Sequence, residues 1–426
     1  MLKICRAEEL EKTFFDYAEP ECLEDVRKII KEVRQKGDEA LKKFTILYDD
    51  VSLDDFRVSQ QEIKRAEKKV DSSLKKAMAQ AAENLKVMSR SQLNSLKNLK
   101  LKIKPGVIAE QKIIPINRVG IYVPGGRYPL FSSLLMAAIP ARLAGVKEVI
   151  VCSPPSFEGS LHPVLLYAAR LSRVDEIYKL GGAQAVAAMA LGTESIKKVD
   201  KIVGPGNLYV TAAKKELFGL VGIDFIAGPT ELLIIADEKA NPAFIAADLI
   251  AQAEHDLRAR PVLITTEIAL AKKVNKEIEE QVKRVSTRET AKRSLAKNGI
   301  IIIVKKLEEA IALANRMAPE HLAVFFEKPE QIIDKLLNYG SLFVGEYTSE
   351  VLGDYSSGLN HILPTNSASR YTGGLSIRDF LKFQTVLRVS KKGLSEIGPA
   401  ARQLAEAEGL EGHANSIKIR LNRKSS

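Results

Sequence analysis

Two periods divide the chain. Up to about residue 100, apolar positions recur at i, i+3 and i+4, as in CLEDVRKIIKEVRQKGDEALKKFTILYDD, which predicts amphipathic helices with Gly37 separating one from the next. The stretch SQQEIKRAEKKVDSSLKKAMAQAAENLKVM (59–88) keeps that period and predicts one long helix with Ser59 as its N-cap. From about residue 103 the pattern changes to short apolar runs ending in Gly/Pro turns: RVGIYVPGG, VKEVIVCSPP, RVDEIYKLGG and VDKIVGPGN. An Ala/Leu-rich helical stretch follows each run, and that alternation predicts parallel βα units. A second series starts at ELLIIAD (231–237) and continues through PVLITTE, GIIIIV, HLAVFF and GSLFVG, again with helices between. The expected fold is α/β, two parallel α/β domains meeting near residues 225–231, with helical N- and C-terminal segments. The last segment, KKGLSEIGPAARQLAEAEGLEGHANSIKIRLNRK, is short for a separate domain and is expected to pack on its own body or on a partner subunit.

Composition narrows the class. A chain of 426 residues, 46% hydrophobic and 27% charged, can bury a large core in two or more domains. No stretch reaches the ~20 apolar residues that span a bilayer. The opening MLKICRAEELEKTFFDY carries acids early and lacks a signal-peptide apolar core. Cys5, Cys22 and Cys152 are odd in number, scattered and without metal-site spacing. Together these predict a soluble cytoplasmic protein. The net charge of +11 raises a nucleic-acid reading, with the densest basic stretch at Lys86, Arg90, Lys97, Lys100, Lys102 and Lys104. That stretch has no aromatic residue on which a base could stack, which favours a lysine-rich surface that steers an anionic ligand.

Three glycine-rich turns are candidate ligand loops: VPGGRYPL (123–130), LGGAQAV (180–186) and VGPGNLYV (203–210). In doubly wound sheets ligands sit at the carboxyl ends of strands, and missing Cβ atoms let the backbone approach a phosphate. Taken singly each reads as a plain tight turn, since none matches G-x-G-x-x-G, while three in one domain point to a nucleotide-sized ligand. In DLIAQAEHDLRAR, Gln252 and His255 share a helix face at i, i+3, as a metal-binding pair or a satisfied polar pair at a domain seam. GDYSSGLNHILPT (353–365) is a loop rich in oxygen and nitrogen donors, with Asp354 and His361. His413 stands at a helix start, as a ligand, a cap or a surface imidazole. In RMAPEHLAVFF (316–326), Glu320 and His321 stand side by side before a buried run, as a proton-transfer pair or as a helix-end charge and a strand start. Four of the five histidines, His255, His321, His361 and His413, lie in the second half, and His162 is read as structural. Without a Cys-x-x-Cys, a histidine-plus-oxygen site would be open and substrate-facing.

The motifs GPGNLYVTAAKK, AGPTELLIIAD, DLIAQAEHD, APEHL and GDYSSGLNHILPT, in that order over nearly the whole chain, resemble histidinol dehydrogenase. The resemblance implies two incomplete Rossmann-like domains and NAD-dependent, zinc-containing oxidation of L-histidinol to L-histidine via histidinaldehyde, the last step of histidine biosynthesis. It implies one zinc per subunit held by Gln252, His255, Asp354 and His413. Glu320 and His321 would be the catalytic pair. Substrate would be bound by Thr230, Gln252, His255, His321, Asp354, His361, Glu408 and His413. Thr230 stands where many members carry serine, and both supply a hydroxyl. NAD would meet Tyr122, Gln184 and Asn207. The expected layout is an N-terminal helical arm (1–24), a zinc and catalytic domain (25–121 and 230–375), an inserted NAD domain (122–229) and a helical tail (376–426) that intertwines a homodimer. No nucleic-acid or membrane partner is expected. A related zinc and NAD dehydrogenase acting on another small alcohol is the alternative. Manganese or cobalt also suits a mixed nitrogen and oxygen site.

Overall fold

The computed structural model describes residues 1–15, 22–125, 129–156 and 159–422. Residues 126–128 of the first glycine turn therefore lie outside the described residues, as do 16–21 of the N-terminal arm and 423–426 of the tail.

Both runs of βα units form parallel sheets. One sheet has five strands in the spatial order Glu176–Lys179, Glu148–Ser153, Arg118–Tyr122, Lys201–Val203, Gly222–Ile223. The other has six, in the order Lys3–Arg6, Ile300–Ile303, Arg260–Thr265, Glu231–Ala236, His321–Phe325, Ser341–Val344. Apart from Lys3–Arg6, each follows the strand order of a Rossmann sheet that lacks its sixth strand. The central strands Arg118–Tyr122, Glu231–Ala236 and His321–Phe325 are buried at every position, as expected of parallel strands covered by helices on both faces.

The helical starts follow local chemistry. Ser59 accepts a hydrogen bond from the Glu62 N–H, and the Glu62 carboxylate accepts one from the Ser59 N–H, a complete capping box. Gly37, at φ 52°, ends Leu23–Lys36 and begins Asp38–Asp49. The helix expected over 59–88 is two helices, Gln60–Lys69 and Ser72–Asn94. The carboxylate of Asp71 accepts from the N–H groups of Ser73 and Leu74 and caps the second helix, an outcome that helical periodicity does not reveal. His162 is structural: its ring nitrogen accepts from Val164 N–H and caps Pro163–Leu171. The three cysteines are free and buried.

Three expectations are corrected. The N-terminal arm is not all helical, because Lys3–Arg6 adds to the edge of the six-stranded sheet beside Ile300–Ile303. The side chain of Asn275 holds both the N–H and the carbonyl of Leu2, and four residues are too few to show a period. The tail also carries a strand near its start, after the short turn Ile377–Phe380. Leu381–Val389 pairs antiparallel with Val107–Pro115, which pairs in turn with Leu99–Lys104. Its two-residue alternation (LKFQTVLRV) is hidden between helical patterns. Residues 25–121, expected with the second sheet, instead pack their helices on the first. Val26, Ile29, Ile30, Val33, Leu41 and Phe44 share a core with Tyr122, Ile150 and Cys152, and Ser72–Asn94 packs on Phe131–Ala144. Helices fall to whichever sheet leaves an apolar face uncovered, and a linear pattern does not say which one.

Candidate active site

Helix Leu307–Met317 ends at Ala318 in the left-handed conformation, φ 48°, and Pro319 then feeds Glu320 into strand His321–Phe325. A non-glycine residue there costs roughly 1–2 kcal/mol. It persists because Ala318 is fully buried and its N–H closes the helix on the Ala314 carbonyl at 2.8 Å. Strand register sets His321 beside Leu232, which brings Glu320 next to Thr230 and Glu231. On its other side Gly340 lets the chain run close, since a Cβ there would sit 2.5 Å from the Glu320 carbonyl oxygen.

The carboxylate of Glu320 accepts from the Thr230 hydroxyl at 2.5 Å and from the Glu231 N–H at 2.9 Å. The Thr230 oxygen accepts in turn from the Gln252 amide at 2.5 Å. His321 Nδ1 donates to the Glu231 carbonyl at 3.0 Å, which fixes the ring. His321 Nε2 is buried without a hydrogen-bond partner and lies 3.6 Å from the Asp354 carboxylate, too far for a hydrogen bond but within ion-pair range. Asp354 lies on helix Glu350–Tyr355, and its carbonyl accepts from His361 Nδ1 at 2.7 Å. His361 Nε2 stands 3.1 Å from the Ser133 hydroxyl, a group of the five-stranded domain.

These groups surround a cleft of about 180 Å³ lined by Thr230, His255, Glu320, His321, Asp354 and His361, with Ser133, Pro205 and Gly206 facing them from the other domain. Gln252 is buried one helical turn before His255. Notably, the second sheet offers this cleft the amino ends of its strands, where Thr230, Glu231, Glu320 and His321 stand. The first offers the loop after strand Lys201–Val203, at its carboxyl end.

Charge is unbalanced here. Glu231, Glu320, Glu350 and Asp354 are all buried or nearly so around His321. Burial pushes Glu231 up to about 7, even against the Arg260 guanidinium, and pushes Glu350 far above the usual carboxylate range. Burial also raises Glu320, against the pull of His321 and Thr230. For His321, burial favours the neutral ring, but Glu320, Asp354 and Glu350 overrule it and hold the imidazole at about 10. Burial works to raise Asp354 as well, yet His321, His361 and His255 keep it below the ordinary range. Burial lowers His361, consistent with a neutral ring. Sequence reasoning missed Glu231, Glu350 and Ser133. A glutamate opening the fully buried run of strand Glu231–Ala236 was the one available signal.

Surplus buried negative charge, an uncapped imidazole nitrogen and a mixed nitrogen and oxygen donor set suit a divalent cation. Among the described residues no group of three or more His, Cys, Asp or Glu could hold a metal ion alone. Two residues expected at the site are not in this cleft: His413 is exposed on helix Glu411–Leu421, and Glu408 is exposed just after helix Lys391–Ala407.

The second cleft, about 440 Å³, brings Tyr122, Gln184 and Asn207 together at the carboxyl ends of the first sheet. The Tyr122 hydroxyl accepts from the Gly182 N–H at 3.0 Å, and Asn207 caps helix Leu208–Leu217 through its side-chain oxygen. Gly204, at φ 112°, folds its loop against Tyr122, where a Cβ would collide with the tyrosine carbonyl. Gln184 is buried with an unpartnered amide nitrogen. Such a groove beside glycine turns suits part of a dinucleotide.

The family model described as histidinol dehydrogenase matches residues 16–421. The histidinol dehydrogenase of Methanothermobacter thermautotrophicus is 45% identical over 396 residues, covering 93% of this chain and 92% of the relative. That of Bacillus cereus is 46% identical over 396 residues with the same coverage. The crystal structure of histidinol dehydrogenase from Elizabethkingia anophelis superposes with a TM-score of 0.92 at 38% identity, covering 99% of this chain and 98% of that one. The chain is an oxidoreductase that belongs to the histidinol dehydrogenase family.

Proposed function

We propose that this enzyme oxidises L-histidinol to L-histidine through histidinaldehyde, using NAD and one zinc per subunit. The observation that carries the reading is the buried Glu320–His321 pair facing Asp354 and His255 across a cleft sized for a small polar substrate. A four-electron oxidation needs two proton removals, and two different bases stand ready for them. His321, held at Nδ1 by the Glu231 carbonyl, presents Nε2 to the cleft and takes the alcohol proton. Glu320, oriented by Thr230 and the Glu231 N–H, then takes a proton from the water that adds to the aldehyde carbon. His361, kept neutral by burial and fixed by Asp354 and Ser133, contacts substrate at the domain seam. Gln252, His255 and Asp354, with His413, would hold zinc, which would supply fixed positive charge beside the substrate and His321. NAD, at Tyr122, Gln184 and Asn207, is the hydride acceptor for both halves. Product analysis across histidinol and other small amino alcohols tests the reading. L-histidine formed from L-histidinol supports it, and turnover confined to another alcohol overturns the substrate assignment.

The tail belongs to the same proposal. Glu408 and His413 stand outside the cleft of their own chain, and we assign them to the cleft of a partner subunit in a homodimer. Leu101 and Leu387 lie in one cross-strand row of the three-stranded sheet, and both are exposed, as are Leu404 and Ile419 on the tail helices. An exposed apolar sheet of this kind calls for a covering partner. Mixing inactive His413→Ala with inactive Glu320→Gln under subunit exchange is expected to restore activity, since some mixed dimers carry one intact site. No recovery, with mixed dimers demonstrated, would place His413 in its own chain's cleft.

A further inference from the structure

We infer that Asp49 is the residue that reads the adenosine ribose of the dinucleotide, accepting hydrogen bonds from its 2′- and 3′-hydroxyls and excluding a 2′-phosphate. The inference rests on the NAD reading above and adds a determinant of cofactor choice to it. Asp49 is the last residue of helix Asp38–Asp49 and lines the second cleft with Tyr48, Tyr122, Gln184, Asn207 and Tyr209. One oxygen of its carboxylate packs near Gly181, where a Cβ would lie 3.3 Å away, and the other is buried without a hydrogen-bond partner. Among the described residues no cation offsets its charge, and burial raises the carboxyl to about 6. An unsatisfied buried acceptor is costly unless a ligand supplies the donor.

Position selects the ribose. The segment Pro205–Asn207 borders both clefts, Pro205 and Gly206 in the substrate cleft and Asn207 in the other. The nicotinamide must therefore lie toward that segment. Helix Asp38–Asp49 contributes no residue to the substrate cleft, which leaves the adenosine half of the dinucleotide to meet it. Tyr48 and Tyr209 present half-exposed rings beside it, suited to stacking on an apolar base edge. Charge then decides between the two dinucleotides. A vicinal diol donates two hydrogen bonds to a carboxylate, the arrangement used by acids that read the NAD ribose. A 2′-phosphate would meet the Asp49 charge, the adjacent Asp50 and the negative end of their helix. Among the described residues none lining this cleft is lysine or arginine.

The test uses the zinc-loaded full-length enzyme with both dinucleotides. Wild type is expected to favour NAD over NADP in kcat/KM by about 100-fold or more, the range reached when a buried polar group is left badly paired. Asp49→Ala should raise KM for NAD by about 10-fold with little change in kcat, the loss of roughly one good charged hydrogen bond. Asp49→Asn, which keeps an acceptor and removes the charge, should shrink the NAD preference by about 10-fold, with no loss in Tm because it removes a buried unpaired charge. Direct titration with NADH and NADPH reads the same preference without turnover. If wild type binds NADH and fails to oxidise histidinol, the functional reading fails while the titration still decides Asp49. If both variants keep the wild-type preference and affinity, Asp49 does not read the ribose.

Discussion

Glu320→Gln is expected to lower the rate of histidine formation by about 10²–10⁴-fold, the range removed with a positioned general base. The substitution is close to isosteric, and its amide oxygen can still accept from the Thr230 hydroxyl and the Glu231 N–H. It also removes a carboxylate that burial already disfavours, so the variant should be at least as stable as wild type. The loss should fall unevenly. His321 remains to take the alcohol proton, so the aldehyde-forming half should survive better than the half that needs an activated water. Oxidation of histidinaldehyde is thus the sensitive assay. A Glu320→Gln enzyme that turns the aldehyde over at the wild-type rate would remove Glu320 from the mechanism.

Asp354→Asn is expected to drop bound zinc well below one per subunit and to cost more than about 100-fold in kcat, beyond the 10–100-fold typical of residues that merely support a ligand. Asp354 is the carboxylate that its neighbours hold ionised, because three imidazoles surround it. An amide keeps the shape and loses the charge that the His321 ring meets at 3.6 Å and that a bound cation would need. Metal analysis and kinetics on the same preparation separate the two effects. Stoichiometric zinc with kcat within a few-fold of wild type would exclude Asp354 as a ligand.

Most of the parallel architecture is legible in the sequence, and the reason is physical. Strands such as Glu231–Ala236 and His321–Phe325 are buried on both faces, so their apolar runs are unbroken and end sharply at Gly or Pro. Short or half-exposed strands are harder to read. Lys3–Arg6 has too few residues, and in Leu99–Lys104 the leucine and lysine alternation reads first as basic charge. The site was legible in part for another reason. Glu320 and His321 are polar residues at the head of an apolar run, which costs free energy unless they work, and Asp354 and His361 stand in a loop rich in donor groups. Glu231 and Glu350 are just as buried, but each looks like an ordinary acid at the start of an element. Asp49 lies in a segment whose helical pattern is apolar-face packing, and only the fold brings that helix end to the cleft of Tyr122, Gln184 and Asn207. The exposed place of His413 on helix Glu411–Leu421, away from the cleft, is likewise outside the reach of local pattern.

The proposed reaction is a zinc-dependent, NAD-linked double oxidation in one site. NADH formation from limiting L-histidinol reads it directly, before chelation, after chelation and after zinc is returned. About two NADH per histidinol are expected, abolished by the chelator and recovered with zinc. One NADH per histidinol with aldehyde accumulating, or full turnover after the metal is demonstrably gone, would refute it.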